Sequence, residues 1–423
     1  MKRTALSILL ASLLIVTNLG TVKAAENTMP KIEGKAGIVM DMDTGEIIYA
    51  NNIDSKQYPA STTKLLTGLL FAESKKKTDT IIYTQSSYNQ PEYSLGKTLA
   101  RGKMKVGDTM SGQDTMDALL IYSANDSAYM VADSVSGNAD KFADLMNERI
   151  NKLGLKNTHF IIPNGLDNAD HYTTPYDLSV IGREAFKNEW IRETLAKKGS
   201  TITTSTGVTM MIENRNKLLE IDGWQAGGKT GLTDLAGRVF VAFYEKNGKR
   251  LAGVVMKSVY GSNDTAVFED MKKIVDWSLN QKPVTLHKNG DTLKTEAISY
   301  KPFRFFGPEK TIQVPLLLQE DINYYHNDVN KKEIKEEYNI EKLNVWKLSA
   351  DKPAGTLAVK QREAVKNVNL YTTISTNDIV KDNIILYLVS ALGILIVVLA
   401  LIVVVLKVKN SRRKGSRKFY SRR

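Results

Sequence analysis

Apolar positions follow two different periods along this chain. Strand-like runs, each pair joined by a turn-forming sequence, predict two β-hairpins: 36–41 with 46–50, and 238–244 with 250–255. Apolar residues spaced three and four apart predict helices between the hairpins and just after the second one: 65–73, 113–122, 140–152, 174–187 and 265–279. Strands at both ends with helices between them predict an α/β (α+β) domain in which one mixed sheet packs on a helical cluster.

A shift in composition near Gln281-Lys282-Pro283 marks the end of this domain, which the sequence places at 31–281. From 284 to 378, short strand-like runs such as 311–318 and 343–348 alternate with turns. We therefore expect a second, β-rich domain over 284–378, and the chemically informative motifs described below all lie in the first domain.

Both ends of the chain carry long apolar segments. Lys2 and Arg3 precede an apolar run, and Val22-Lys23-Ala24 offers the small residues that a signal peptidase reads. Residues 1–24 are therefore predicted to be a secretory signal, with an uncleaved anchor as the alternative. Residues 384–406 are an unbroken apolar stretch, and at ~1.5 Å rise per residue it is long enough to cross ~30 Å of hydrocarbon. We expect a transmembrane helix there.

The charge distribution predicts how this helix is oriented. Nine basic residues and no acidic one lie in the tail, 407–423. By the positive-inside rule the tail is cytoplasmic, so the residues before Ile384 lie outside a cell membrane crossed once. The net charge of +12 contains these nine charges and three from the signal segment, which leaves about zero for the rest (12 − 9 − 3). The charge therefore indicates no nucleic-acid partner, although the tail suits anionic lipid headgroups.

Cysteine and histidine usage removes several classes of chemistry. The chain has no cysteine, which excludes disulfides, thiolate catalysis and lipid attachment through an N-terminal cysteine. It has four histidines, none in a metal-ligand spacing such as H-E-x-x-H. We expect no metal and no cofactor. A Ser-His-Asp triad is not excluded by counting alone.

The first motif is Ser61-Thr62-Thr63-Lys64. The helical pattern that follows places Ser61 at a helix N-terminus, and Lys64, three positions on, then lies on the same face. A serine hydroxyl needs a base within ~3 Å to act as a nucleophile, and burial lowers the pKa of a lysine enough to make it a base. The alternative is an ordinary N-cap serine followed by a surface lysine.

The second motif is Ser123-Ala124-Asn125, between two helical runs. A tight interhelical turn would point these side chains into a cleft. Ser123 would relay a proton between Lys64 and a leaving amine, and Asn125 would bind a substrate amide. The alternative is turn capping, a common use of Ser and Asn.

The third motif, Lys229-Thr230-Gly231, precedes a hairpin strand and is itself predicted to be on a strand. Lys229 supplies positive charge and Thr230 a hydroxyl for a substrate carboxylate, while Gly231 lets a substrate backbone lie against the strand. An oxyanion hole would come from the backbone N–H groups of Ser61 and Leu232. The alternative is a glycine-rich edge strand with a solvated lysine.

The three motifs, in this order, resemble those of the penicillin-recognising serine enzymes, whose S-D-N motif has aspartate where Ala124 stands here. The resemblance narrows to the low-molecular-mass penicillin-binding proteins of the peptidase S11 type, which are D-alanyl-D-alanine carboxypeptidases. It covers roughly residues 31 to 280, and it extends to the sequence around and between the motifs: Pro59–Thr67, Ser123–Ala128, Asn157–Phe160, Gly165–Asp167, Asn214–Leu219 and Lys229–Gly237.

This resemblance implies a penicillin-binding, β-lactamase-like transpeptidase domain with a helical cluster. It implies removal of the terminal D-alanine from peptidoglycan pentapeptide stems through an acyl-enzyme on Ser61, with β-lactams as inhibitors. Arg215 matches a family arginine that helps to hold the terminal carboxylate. Leu232 stands where the family often has histidine, and a full transmembrane span replaces the amphipathic anchor of many relatives, which indicates a Gram-positive-type envelope.

Three other functions remain open from the sequence. A DD-transpeptidase or endopeptidase would use the same acyl-enzyme with another acceptor or bond. A membrane-anchored class A β-lactamase would need a glutamate to activate water, whereas the loop 163–168 offers Asp167. A non-enzymatic penicillin sensor would bind without turnover.

Overall fold

The computed structural model describes residues 28–101, 103–261 and 264–420. The predicted signal segment, 1–24, lies outside the described residues. Contacts divide the chain into two compact units: the first runs to Gln281, and the second comprises the residues from Lys282 on together with Thr44–Glu46. Each unit is described by itself.

The first unit contains a five-stranded sheet and two short ribbons. Its strands are, in chain order, β1 (Ala36–Asp41), β2 (Ile47–Asn51), β3 (Thr80–Ile82), β4 (Thr109–Ser111), β5 (Gly199–Thr203), β6 (Thr209–Glu213), β7 (Gln225–Thr233), β8 (Gly237–Lys246) and β9 (Lys249–Ser258). The main sheet has the order β2-β1-β9-β8-β7, while β3 pairs with β4 and β5 with β6.

The helices of the first unit fall mostly between β2 and β7. They are α1 (Lys64–Ser74), α2 (Gln85–Tyr88), α3 (Gly112–Asp117), α4 (Asn125–Ser136), α5 (Ala139–Lys152), α6 (Pro175–Lys187), α7 (Glu189–Ala196), α8 (Leu218–Ile221) and α9 (Ala266–Leu279). A 3₁₀ turn at Ala60–Thr63 leads into α1, and π-helical turns occupy Leu95–Leu99 and Ala118–Tyr122. The predicted hairpins and long helices are therefore present, with bounds shifted by a few residues.

The prediction of a mixed sheet is wrong, because every pairing in the main sheet is antiparallel. A parallel pair needs a crossover connection, whereas β1–β2 and β7–β8–β9 are joined by tight turns. The long helical insertion returns the chain to the opposite edge of the sheet, so β7 is an edge strand. The Lys229-Thr230-Gly231 motif lies on this edge.

Side chains of β8 alternate between two helical layers. The ring of Phe240 meets Phe268 of α9 edge-on at 5.1 Å, whereas the ring of Phe243 stacks on Phe186 of α6 at 4.2 Å. All four rings are buried. Since successive strand residues point to opposite faces, these pairs show that α6 and α9 cover the two faces of the sheet.

The second unit is built mainly on another antiparallel sheet, of order β11-β12-β16-β15-β14, with β10 and β13 as a separate ribbon. Its strands are β10 (Val284–His287), β11 (Thr292–Tyr300), β12 (Lys310–Leu318), β13 (Ile322–Tyr324), β14 (Lys335–Asn339), β15 (Gly355–Gln361) and β16 (Ala364–Tyr371). Its helices are α10 (Asp328–Glu333), α11 (Thr376–Asp382) and α12 (Ile384–Tyr420).

The predicted strand at 343–348 is wrong, since a 3₁₀ turn occupies Val345–Lys347. The Asn344 side chain accepts a hydrogen bond of 2.9 Å from the Trp346 backbone N–H. Asparagine favours this local turn over a sheet ladder, and burial of Val345 and Leu348 accounts for the apolar pattern.

The last helix, α12, contains one segment, Ile384–Arg412, that is long and apolar enough to cross a membrane. None of the residues in its apolar window is buried by the described part of the chain. An isolated helix this apolar leaves a large surface to be covered by a non-aqueous environment.

Asp270 joins the segment just before β1 to α9, the last helix of the first unit. Its buried carboxylate accepts hydrogen bonds from the backbone N–H of Glu33 at 2.9 Å and of Gly34 at 2.8 Å. We expect Asp270→Ala to destabilise the protein by roughly 3 kcal/mol, because two N–H groups lose their acceptor. Urea unfolding followed by tryptophan fluorescence measures this loss. The exposed neighbour Glu269 is the control: a loss as large in Glu269→Ala would contradict the assignment.

Candidate active site

Ser61 lies in the 3₁₀ turn that precedes α1, and Lys64 is the first residue of that helix. The turn places the two side chains on one face, with Lys64 Nζ 2.8 Å from Ser61 Oγ. The amine is therefore within the distance that proton transfer from the hydroxyl requires.

The Lys64 side chain is fully buried. Its Nζ donates to the side-chain oxygen of Asn125 at 3.0 Å and to the backbone carbonyl of Asn164 at 2.7 Å. Burial lowers the pKa of Lys64 to about 7, against the opposing effect of the Asp126 carboxylate. A lysine with that pKa is substantially neutral near pH 7, so its lone pair is available to accept a proton.

Asp126 is a buried carboxylate next to the second motif. It accepts hydrogen bonds from the backbone N–H groups of Leu95 at 2.9 Å and Gly96 at 3.0 Å. Burial raises the pKa of Asp126, and these hydrogen bonds oppose that rise. The carboxylate thus fixes the π-helical turn at Leu95–Leu99 against the N-terminus of α4.

Ser123 ends the helical segment before α4 in a left-handed conformation, with φ 73°. Its Oγ accepts a hydrogen bond of 2.8 Å from Lys229 Nζ, which also donates to the Thr230 carbonyl at 2.9 Å. Lys229 is buried, and burial together with the positive charges of Lys64 and Arg215 holds its pKa well below the usual value. The site therefore contains two serine–lysine pairs.

Gly231 allows β7 to approach the Ser61 turn. A Cβ at this position would lie 2.9 Å from the Ala60 Cβ, 3.0 Å from the Ser61 backbone nitrogen and 3.1 Å from the Pro59 carbonyl oxygen. The glycine thus contacts the chain around Ser61, whereas the sequence predicts a substrate backbone on its open side.

An open cleft of about 290 Å³ lies between these elements. Arg215 on its wall donates from Nε to the Tyr122 carbonyl at 3.3 Å and lies over the rings of Tyr122 and Tyr93. The lining comprises residues from all three motifs together with residues from neighbouring segments: Ser61, Tyr93, Tyr122, Ser123, Asn125, Leu166, Arg215, Thr230, Gly231, Leu232, Arg238, Tyr260 and Asp264.

The structure brings the predicted site residues together, but with two different pairings. Ser123, predicted as a relay for Lys64, is hydrogen-bonded to Lys229 instead. Asn125, predicted to bind substrate, accepts from Lys64 and donates from Nδ2 to the Glu92 carbonyl at 3.0 Å. Both amide ends of Asn125 are thus engaged in positioning the site.

Three further residues of the site are absent from the sequence-based assignment. Asn164 acts through its backbone carbonyl, which no sequence motif reveals. Asp126 directly follows Ser123-Ala124-Asn125, and its adjacency to that motif was an available signal. Arg238 pairs with Asp264 at the cleft wall and lies over the Tyr260 ring, and only the β7–β8 register places it beside Leu232.

The histidine near the site is structural. His171 Nδ1 accepts from the Ile161 backbone N–H at 3.0 Å, so its Nε2 carries the proton and donates to Thr63 Oγ1 at 2.9 Å. Burial lowers the pKa of His171 to about 3. The ring is therefore neutral and both its nitrogens are occupied, and the amine beside Ser61 belongs to Lys64.

Asp167 is also engaged in structure. Its two oxygens accept from the Thr233 hydroxyl at 2.5 Å and the Leu235 backbone N–H at 3.1 Å. The carboxylate thus ties the loop 163–168 to the end of β7. Among the described residues there is no group of three or more His, Cys, Asp and Glu that would hold a metal ion.

A family model described as D-alanyl-D-alanine carboxypeptidase matches residues 22–259. The chain belongs to this family. The match spans more than half of the chain and contains all three motifs, and it confirms the resemblance noted in the sequence.

Known relatives agree with this assignment. The chain is 28% identical to the D-alanyl-D-alanine carboxypeptidase DacF of Bacillus subtilis, over 73% of this chain and 77% of that protein. It is 31% identical to DacD of Escherichia coli, over 69% and 76%. The crystal structure of the Streptomyces K15 DD-transpeptidase matches with a TM-score of 0.54 and 26% identity, over 60% of this chain and all of that one. The penicillin-binding, α+β fold is thus confirmed.

The contact of Gly231 with the Ser61 turn is testable by adding one methyl group. In Gly231→Ala, the new Cβ would force β7 away from the nucleophile, and a displacement of ~1 Å is enough to slow the chemistry about 100-fold. The rate of acylation by a fluorescent penicillin measures the effect. Gly223→Ala is the matched control, since nothing lies within 4 Å of a Cβ there. Equal acylation rates in the two variants would contradict the packing argument.

Proposed function

We propose that this chain is a serine-type D-alanyl-D-alanine carboxypeptidase that removes the terminal D-alanine from peptidoglycan pentapeptide stems. The observation that carries the proposal is the buried Lys64 amine, with a pKa lowered to about 7, 2.8 Å from Ser61 Oγ. Membership of the carboxypeptidase family supports the substrate class.

Acylation begins when Ser61 Oγ attacks the carbonyl carbon between the two D-alanines and its proton passes to Lys64 Nζ. The backbone N–H groups of Ser61 and Leu232 would bind the developing oxyanion. Stabilising this charge is usually the largest single contribution to the rate enhancement. When the C–N bond breaks, the departing amine takes the proton that Lys64 accepted from Ser61. The product is free D-alanine and an ester on Ser61.

The substrate carboxylate would be held by groups that line the cleft. Thr230 offers a hydroxyl and Arg215 a guanidinium. Because Lys229 Nζ already contacts Ser123 and the Thr230 carbonyl, we assign it chiefly to orienting those two residues. Attraction between the cationic wall and an anionic peptide terminus would favour substrates with a free carboxylate.

Deacylation requires water to attack the same carbonyl carbon, with Lys64 again accepting a proton and passing it to Ser61 Oγ as the ester bond breaks. A β-lactam would acylate Ser61 by opening its ring, and its leaving group would stay attached, which hinders the approach of water. The Asp167 carboxylate, engaged with Thr233 and Leu235, is not free to activate water as a β-lactamase base does. Slow release of β-lactams follows from this.

Transpeptidation is the second candidate, because the solved structural relative from Streptomyces is named a DD-transpeptidase. An amine would then replace water in the second step. The two activities share the acyl-enzyme and differ in the acceptor, so product analysis with an added D-amino acid separates them.

The proposal includes a location on the outer face of a cell membrane. The exposed apolar helix α12 would cross the bilayer once, with the basic tail 407–423 on the cytoplasmic side. Residues 31–281 would be the catalytic domain and 284–378 a spacer that holds it outside the membrane, after removal of a signal at 1–24.

The nucleophile is tested with the full-length chain in detergent. Wild type should release D-alanine from a pentapeptide stem analogue, and Ser61→Ala should release none above background, since Ser61 supplies the only hydroxyl bonded to the Lys64 amine in the described part of the chain. Ser134→Ala is the matched control, a helical serine that bonds the Val131 carbonyl and does not line the cleft. Release by Ser61→Ala would rule out this nucleophile, and absence of release by folded wild type would rule out the carboxypeptidase.

The base is tested by the pH dependence of kcat/KM on an N-acetylated peptide ending in D-Ala-D-Ala. Because only neutral Lys64 accepts the serine proton, kcat/KM should rise with pH and level off above about 7, where the amine has lost its proton. The rise of kcat/KM with pH should persist in His159→Gln, which tests whether a histidine causes the rise. A rise centred near the ordinary lysine pKa would contradict burial of the Lys64 amine.

A further inference from the structure

The loop between β11 and β12 carries the most exposed aromatic side chains of the second unit. Its sequence, from Lys301 to Gly307, contains three phenylalanines and two cations. Phe305 is 85% exposed and Phe306 is 65% exposed. Aromatic pairs exposed to this extent are rare on water-facing surfaces and mark contact sites.

The loop is held in one shape by its own hydrogen bonds. The backbone N–H of Phe303 donates to the Phe306 carbonyl at 3.3 Å, and that of Arg304 donates to the Lys301 carbonyl at 2.9 Å. Arg304 is left-handed, with φ 69°, and the rings of Phe303 and Phe306 stack at 4.9 Å. The outward position of Phe305 is therefore a property of the turn and not of a loose chain.

The loop is also fixed to the start of α12. The Tyr387 hydroxyl donates to the Pro302 carbonyl at 2.7 Å, and the Tyr387 ring meets the Phe303 ring edge-on at 5.3 Å. Just before the helix, the buried Asn383 donates to the Tyr300 hydroxyl at 2.9 Å and accepts from Lys310 Nζ at 2.6 Å. Both ends of the hairpin loop are thus bonded to the junction from which the apolar helix departs.

These contacts set the level of the loop along the helix. Tyr387 is the fourth residue of α12, so it lies about 5 Å along the axis from the first, at ~1.5 Å per residue. The apolar segment begins at Ile384, and aromatic residues at that level belong to the interface between headgroups and hydrocarbon. A loop in contact with Tyr387 therefore reaches the same depth.

We propose that the loop Lys301–Gly307 is a second membrane contact, in which Phe305 and Phe306 insert among the outer-leaflet lipids beside the transmembrane helix. Lys301 and Arg304 of the same loop are both exposed, and their charges suit lipid phosphates, although the Arg304 guanidinium also lies over the Trp346 ring. This inference rests on the proposed membrane span of α12. The occupant is lipid because the loop continues the surface of that span.

The consequence is a restricted orientation of the second unit. A single helix allows the attached domain to rotate about the helix axis, whereas a helix and an inserted loop define two points of contact. The β-rich unit would then stand on the bilayer in one orientation, instead of swinging freely on its anchor.

The experiment uses the full-length chain reconstituted in vesicles of phosphatidylglycerol and phosphatidylcholine. Because the chain has no cysteine, single cysteines carry an NBD fluorophore at one position each: Phe305→Cys in the loop, Val365→Cys as a surface-exposed control on β16, and Leu395→Cys within the span. Nitroxide lipids labelled near the headgroup or deep in the acyl chain quench the fluorophore according to its depth. Release of D-alanine by each labelled chain confirms folding.

The label at 305 should lose most of its emission to shallow nitroxides and shift to the blue, that at 365 should stay unquenched, and that at 395 should respond to deep nitroxides. If 395 is quenched and 305 behaves like 365, the span is inserted and the loop contact is refuted. A blue shift at 305 without lipid quenching also refutes it and indicates a protein partner. If 395 is unquenched as well, the membrane span fails and the inference fails with it.

Discussion

The buried amine of Lys64 is the constraint on which the site depends. An ammonium group without water is costly unless it is hydrogen-bonded, and it responds by lowering its pKa. The protein supplies three oxygens, from Ser61, Asn125 and Asn164, and keeps the Asp126 carboxylate near enough to limit the fall. Burial without the Asp126 carboxylate would lower the pKa of Lys64 further. An amine that never holds a proton cannot return one to a leaving group.

The second lysine follows from the same electrostatics. Lys229 is buried too, and the positive charge of Lys64 is among the causes that lower its pKa. Two like charges in one apolar site favour states in which one of them is neutral. Each amine contacts a serine hydroxyl, so a proton arriving at one pair raises the cost of protonating the other. This coupling suits a reaction in which an amine of the site first accepts a proton and then gives it up.

The sequence predicts those contacts of the site that join residues close together in the chain. Ser61 and Lys64 meet because residues three apart share a helix face. The Ser123–Lys229 pair spans 106 residues, and which amine meets which hydroxyl depends on the position of β7 at the sheet edge. The contact of Lys64 with Asn164 uses a backbone carbonyl, so no residue type in the sequence predicts it. In the β-rich unit the apolar run 343–348 predicts a strand where a 3₁₀ turn occurs, since a strand and a buried turn produce the same short pattern.

Three residues at or next to the cleft have a backbone conformation that most residues avoid. Ala60, Tyr93 and Ser123 all have left-handed φ, of 49°, 60° and 73°, at a cost of order 1 kcal/mol or more each. Glycine would remove the strain, but it would also remove the Ser123 hydroxyl and the Tyr93 ring beneath Arg215. The Asn125 backbone N–H donates to the Tyr93 carbonyl at 2.9 Å. This bond ties the left-handed Tyr93 to the second motif, which contains the left-handed Ser123. Packing around the site therefore holds its donors in place before substrate arrives, which is the condition for electrostatic catalysis.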